Sequence, residues 1–344
     1  MRMRQTNTRT VAEQKPLGVI DAISAGLTLV WRRPWTLIVP ILFDALIWIL
    51  PRLSLAQLFR PFQTLLLGAL AISADPSNDE VRTKTIQTID SLNLLGVVSG
   101  ALNAVTRIPA LLSVNASDVT SPFTALAWST PLESPELAIL LFVPLFLLGL
   151  LGVAVYLESI AQGVRPLETQ PVTAALLRIA KLWLSLIWFS LLIVALLLVA
   201  SIAIVAVRTI FNSPELAEFF TLLASVGIFW LFIYFFFVPA VMAVSNVGFS
   251  EAMRRSTLLF RIFFWTTLAL VALSVFLDQG LTLIWSGLTV SALGVILGVV
   301  ANSFIGTALL AASMVYYQDR MNLFERMRAQ IKSKPKPKPK QVSK

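Results

Sequence analysis

The sequence predicts an all-α, polytopic membrane protein, and three observations carry that prediction. Of 344 residues, 57% are hydrophobic and 13% charged, against roughly 25% charged in a soluble globular domain. Apolar runs extend well beyond the length a core strand or helix needs. One pattern, an amphipathic basic stretch running into a long apolar one, occurs three times: Gly18–Phe43, Pro171–Val194 and Gly248–Val275. The copies align at Ala22/Ala175/Ala252, Leu29/Leu182/Leu259 and Trp35/Trp188/Trp265. The first and third also share Gly18/Gly248, an acid at Asp21/Glu251, and Thr36/Thr266. Each copy reads as one interfacial helix followed by a transmembrane hairpin. Six transmembrane helices in three repeats are therefore expected: 16–157 with an outer insert at 52–136, then 169–245, then 247–317.

The expected spans, in order, are Pro34–Leu50, Leu137–Leu157, Leu182–Val207, Phe219–Val244, Leu259–Leu277 and Leu288–Tyr317. Each is near or above the ~20 residues that cross ~30 Å of hydrocarbon. Helices are required, because an open strand in lipid leaves backbone groups unpaired. Pro34–Leu50 is the shortest and leans on its amphipathic run-in. It follows a basic N-terminus (Arg2, Arg4, Arg9, Lys15) and is expected to serve as an uncleaved insertion signal.

Basic residues set the orientation. The segments on the N-terminal side of the spans hold 21 Lys and Arg, and those on the opposite side hold six. Both termini are thus expected in the cytoplasm of a multi-pass plasma (inner) membrane protein. The outer insert contains two apolar stretches, Pro61–Ser73 and Leu92–Leu112. The first is too short to cross. The second carries Asn93, Asn103, Arg107 and Pro109, which favours helices on the outer leaflet or packed over the bundle rather than two further spans.

Candidate functional residues are few. Arg32, Arg33, Arg178, Lys181, Arg254, Arg255 and Arg261 sit on or beside the pre-span helices, where basic side chains meet anionic lipid headgroups. Asp44 is a carboxylate inside a span, costly there unless it has a partner or a function. Asn302 in the last span is its candidate partner. Gly294, Gly298 and Gly306 form, with Asn302, a stripe at four-residue steps that admits a close neighbour, within the chain or in a second copy. Pro144 and Pro239 interrupt two spans. The tail 332–344 alternates Lys and Pro, which forbids a helix and favours an extended basic tether.

The run from Gly248, GFSEAMRRSTLLFRIFFWTT, and the exit VYYQDRMNLFERM from Val315 carry a resemblance. They are similar to a bacterial six-span family that includes the membrane domain of some glycerophosphoryl diester phosphodiesterases and the YciC-like proteins of unknown function. The matching residues are Ala252, Arg254, Arg255, Tyr316, Tyr317 and Arg320, within residues 16–51 and 137–328. The resemblance implies the six-span architecture and no activity. The outer insert departs from the family pattern.

Cysteine and histidine are both absent. That removes disulfides, thiolate or HExxH metal sites, cysteine nucleophiles and Ser–His–Asp catalysis. The expectation is a non-enzymatic membrane protein with a scaffolding or envelope-homeostasis role and no cofactor. Its partners would be the bilayer, anionic lipid and a protein partner or second copy, with no nucleic acid. The alternative is a small-solute transporter using Asp44 and Asn302; a lipid-acting enzyme lacks acid–base groups.

Overall fold

The structure, a computed structural model, describes residues 16–61, 92–115, 129–165, 171–211 and 214–333, with scattered positions between 83 and 90. The expected stretch 61–73, beyond Pro61, and the Lys-Pro repeat from Lys334 lie outside the described residues. The chain is helical: α1 (Val19–Arg32), a 3-10 turn (Pro34–Leu37), α2 (Ile38–Ile49), α3 (Leu94–Thr106), α4 (Leu112–Asn115), α5 (Pro135–Val164) and α6 (Val172–Phe211). There follow α7 (Pro214–Phe235), α8 (Val238–Ser245), α9 (Phe249–Ile262), α10 (Phe264–Gly287) and α11 (Ala292–Ser333). Two three-residue strands, β1 (Arg52–Ser54) and β2 (Ser129–Pro131), pair in parallel.

Among the described residues, five helical stretches are long and apolar enough to cross a membrane: α5, most of α6, α7 continued into α8, α10 and α11. Pro34–Ile49 is apolar but shorter. At 1.5 Å per residue, the 12 residues of α2 cover only about 18 Å. Leu17 N–H donates to Asp319, Gly26 lies against the backbone of Ala308 and Ala312, Trp31 meets Phe304, and Ile47 packs with Val295 and Val299. Residues 17–47 therefore run antiparallel to α11 from Asp319 to its start.

α1 and α9 share their local geometry. Each has 14 residues, an extended Gly N-cap (Gly18, Gly248) and an acid in the first turn. Each ends at a residue outside the helical region, Arg33 or Phe263, from which the next element starts. The hydroxyls of Thr36 and Thr266 donate back to the carbonyls of Arg33 and Phe263 at 2.8 and 3.2 Å. In the second copy the chain does not break: α6 runs 40 residues through Ala175, Leu182 and Trp188. Trp35, Trp188 and Trp265 are 54%, 59% and 78% exposed, so all three indoles point away from the bundle. Ala22, Gly26 and Val30 are buried, so α1 turns this face to α11.

The described part of the insert from Leu92 to Leu112 enters the bundle and turns back, rather than lying over it. At its mouth Leu53 N–H and Leu95 N–H both donate to the Asn93 side chain, which caps α3. α3 descends beside α5, from Leu94 near Ala138 to Leu102 over Gly149. The chain turns at Arg107, and Pro109 then packs on Gly306 while Leu111 reaches Gly298, so the return runs up α11. The residues that count against a crossing are this turn's fasteners. Arg107 adopts φ 60°, uncommon for a non-glycine, and the Asn103 amide holds the turn by donating to Ile108 C=O at 2.6 Å.

The core gathers α5, α6, α8 and α11 around Tyr156, Phe189, Phe237, Phe260, Tyr316 and Tyr317. At one edge of the core the C-terminus of α8 is capped by cations, as the helix dipole favours. Arg165 pairs with Glu158 at 2.8 Å and donates to the carbonyls of Ala243 and Val244. Lys181 donates to Asn246 C=O at 2.7 Å, and the hydroxyls of Ser245 and Tyr317 meet at 2.8 Å.

Candidate functional site

Asp44 is fully buried on α2. Its two carboxylate oxygens accept from Leu111 N–H at 3.1 Å and Leu112 N–H at 3.0 Å. These are N–H groups at the start of α4, which have no partner inside a helix. Asp44 thus fastens the returning limb of the insert to α2. Asn302 is engaged elsewhere: its side-chain oxygen accepts from Thr282 of α10 at 3.0 Å. The two expected site residues make separate structural bonds and no hydrogen bond to each other is recorded.

The glycine stripe serves contacts inside the chain. A Cβ at Gly294 would fall 1.8 Å from Leu288 O, at the turn between α10 and α11. One at Gly298 would press on Leu111 and Trp285, and one at Gly306 would fall 2.4 Å from the Pro109 ring.

The basic residues divide among three places. Arg32 and Arg33 line an open cleft of about 810 Å³ between α1, the end of α5 and α11, with Arg165, Asp21 and Asp319. Arg254, Arg255 and Arg261 line a second, of about 780 Å³, between α9 and the end of α11. Within it Glu251 accepts from Arg254 at 2.8 and 2.9 Å and from Arg255 at 2.7 Å. These guanidinium hydrogen bonds hold the Glu251 carboxyl down at about 2 and raise both arginines. Arg178 is half-buried on α6, and Lys181 is the α8 cap already described.

The bundle's centre holds charges that the sequence reading placed outside it. The Arg107 guanidinium carbon stands 3.6 Å from the Phe236 ring centroid, a cation–π contact. Its Nη1 is buried and, among the described residues, has no hydrogen-bond partner. The charge of Asp278 acts on it from α10. Beside them Tyr156 Oη donates to Thr307 Oγ1 at 2.9 Å, and the buried hydroxyls of Ser274 and Ser303 are also unpaired among the described residues. Tyr156 lies about 13 Å along α5 from Arg165 at 1.5 Å per residue, which puts this polar set well inside the bundle. Asp278 stands on α10, which runs on to Gly287, past the expected end of that span at Leu277.

Arg107 also forms one end of an apolar groove of about 360 Å³ between α6 and α7. The groove reaches from Phe236 and Pro239 to Ala203 and Ala224, toward the α6–α7 connection. Comparison with protein families, curated proteins and solved structures gave no match to this chain.

Proposed function

We propose a non-enzymatic, auxiliary protein of a bacterial-type inner membrane, built from three repeats of helix plus hairpin, with six crossings and both termini in the cytoplasm. The sixth crossing in this reading is composite: α1, the 3-10 turn and α2 together. The observation that carries the proposal is the match of α1 and α9 in length, cap, break point and Thr hydrogen bond. Two helices so alike, each bordering a cleft lined by arginines, are suited to holding anionic lipid headgroups on one face of the membrane. The excess of basic residues on that face favours the cytoplasmic side. The similarity to the six-span phosphodiesterase-associated family belongs to the same proposal and adds no chemistry.

The test is a cysteine-accessibility map, which the absence of native cysteine makes direct. Single cysteines at Arg32, Arg254 and Gln330 should react with a membrane-impermeant maleimide only after the cells are opened, and one at Ser129 should react in intact cells. Labelling of Arg254→Cys from outside the cell overturns the orientation. Loss of co-purifying anionic phospholipid in an Arg32/Arg33/Arg254/Arg255 quadruple Gln variant is the expected functional result.

A further inference from the structure

We propose that Arg107 and the groove between α6 and α7 form a binding site for a long-chain carboxylic acid, its head at the guanidinium and its chain along the groove. The site is separate from the inner-face arginines and stands whether or not those hold lipid.

Three features define the ligand. First, the groove is lined by carbon: Phe189, Ile193 and Leu197 on one wall, Gly227, Leu231 and Phe235 on the other. From Phe189 to Ala203 it follows α6 for about 21 Å at 1.5 Å per residue, the reach of a long acyl chain. Its volume of about 360 Å³ is at the small end of ligand sites, which run roughly 300–1,000 Å³, and fits one chain better than two. Leu197 and Leu231 are partly exposed, so the groove opens sideways to the bilayer and a lipid-dissolved ligand enters without passing through water.

Second, the groove ends on a guanidinium whose Nη1 has no acceptor among the described residues. A hydrocarbon end against that N–H leaves a buried donor unpaired, which costs about 1–3 kcal/mol. An acidic head supplies the acceptor, and a carboxylate matches the planar fork of Arg. Asp278 offsets part of the Arg107 charge from α10, while it accepts a hydrogen bond from the Gln279 side-chain amide at 3.5 Å.

Third, the depth selects the head. A phosphate monoester keeps charge throughout its journey to mid-bundle, and burying charge is costly. A carboxylic acid can travel neutral, and its carbonyl oxygen accepts from Nη1 in either protonation state. The turn that presents Arg107 is held in place by Asn103 and Asp44, so the guanidinium is positioned before the ligand arrives.

The experiment is photolabelling of the full-length protein in detergent with a diazirine-bearing palmitic acid, compared with the matching diazirine alcohol, and mapping by mass spectrometry. The acid should label α6 and α7 between residues 193–203 and 224–231, on the order of tenfold above the alcohol, the ratio that a single charge-assisted hydrogen bond of about 1.4 kcal/mol provides. Arg107→Gln should bring the acid down to the alcohol's level. Gly227→Phe should abolish labelling of the groove by both probes. A Cβ at Gly227 meets nothing within 4 Å, so the ring can start into the groove without a clash at its root, and this variant, its folding checked by thermal unfolding, keeps the test decisive if Arg107→Gln does not fold. Equal labelling by acid and alcohol overturns the role of Arg107, and labelling unchanged by Gly227→Phe overturns the site.

Discussion

The segments that open with α1 and α9 begin alike and end differently. α1 and α9 match residue for residue in length and break. After the break, α10 continues for 24 residues and lines up with α11 unaided, through Thr267 on Tyr316 and Thr282 on Asn302. α2 stops after 12. The outer half of its hairpin is completed by the insert, which α2 holds through the Asp44 carboxylate and which fills the space against Gly298 and Gly306. Compensation also shifts the helix before the break. α9 packs mainly on α7, α8 and α10, whereas α1 lies along α11. One sequence pattern thus sets local geometry in both copies, while the length of the following helix decides where the preceding one docks.

The largest way to break this comparison is at Gly26, where α1 touches α11 backbone to backbone. A Cβ there would sit 2.2 Å from Ala308 O and 2.7 Å from Ala312 N, and neither backbone atom can yield without moving a helix. Gly26→Val should cost about 3 kcal/mol, the upper range for overpacking, or unfold the protein. The equivalent position in α9 is Ser256, which is buried and donates to Tyr234 C=O at 2.6 Å. Ser256→Ala should lose only about 1 kcal/mol, one hydrogen bond's worth. Thermal unfolding in detergent, followed by size-exclusion of the survivors, ranks the two; equal effects would mean that α1 and α9 dock the same way.

Asp44→Ala comes next. It leaves two buried N–H groups of α4 without acceptors, at about 1–3 kcal/mol each, and frees the returning limb of the insert. A cysteine at Leu111 should then become reactive to maleimide in the Ala variant and stay protected in the parent. Asp44→Asn keeps one acceptor and should fall between the two. If Leu111→Cys reacts equally in all three backgrounds, Asp44 is not the fastener. Gly306→Ala attacks the same insert from the other side, through the Pro109 ring at 2.4 Å. A ring can shift where a backbone cannot, so the cost should be smaller, about 1–2 kcal/mol on the same scale.

These positions also mark how far the sequence was legible. Long apolar runs gave the helices α5, α6, α7 with α8, α10 and α11, because length and composition alone decide a span. Of the aligned positions, Ala22, Ala252, Leu182 and Leu259 are buried, Leu29 and Ala175 half-buried, and the three tryptophans exposed. The insert was not legible, since its path depends on pairs far apart in sequence: Asp44 with Leu111 and Leu112, Pro109 with Gly306, Asn93 with Leu53. Periodicity carries no record of such pairs. Arg107 and Asp278 were misplaced for a related reason. Arg107 lies within an apolar stretch and Asp278 just past the expected end of another, and only the fold brings Arg107 onto the Phe236 ring.

The smallest effect separates the matched acids of the two copies. Asp21 accepts from Gly18 N–H at 3.0 Å and acts as a helix-start cap, while Glu251 is clasped by Arg254 and Arg255. Those guanidinium hydrogen bonds lower the Glu251 carboxyl from 4.5 to about 2. A folded-state value below the unfolded one means that the unfolded chain binds the proton first. The stabilisation is therefore complete above about 4.5 and disappears as pH falls through about 2. The cluster faces water, and exposed pairs are weakened by screening and side-chain entropy. Glu251→Gln should therefore leave neutral-pH stability nearly unchanged and flatten only the part of the acid-unfolding curve between pH 4.5 and 2, with 1 M salt reproducing much of that flattening in the parent. If Glu251→Gln instead destabilises at pH 7 as much as Ser256→Ala does, the arginines need that carboxylate to hold α9 against α11, and the third copy depends on charge where the first depends on a bare glycine contact.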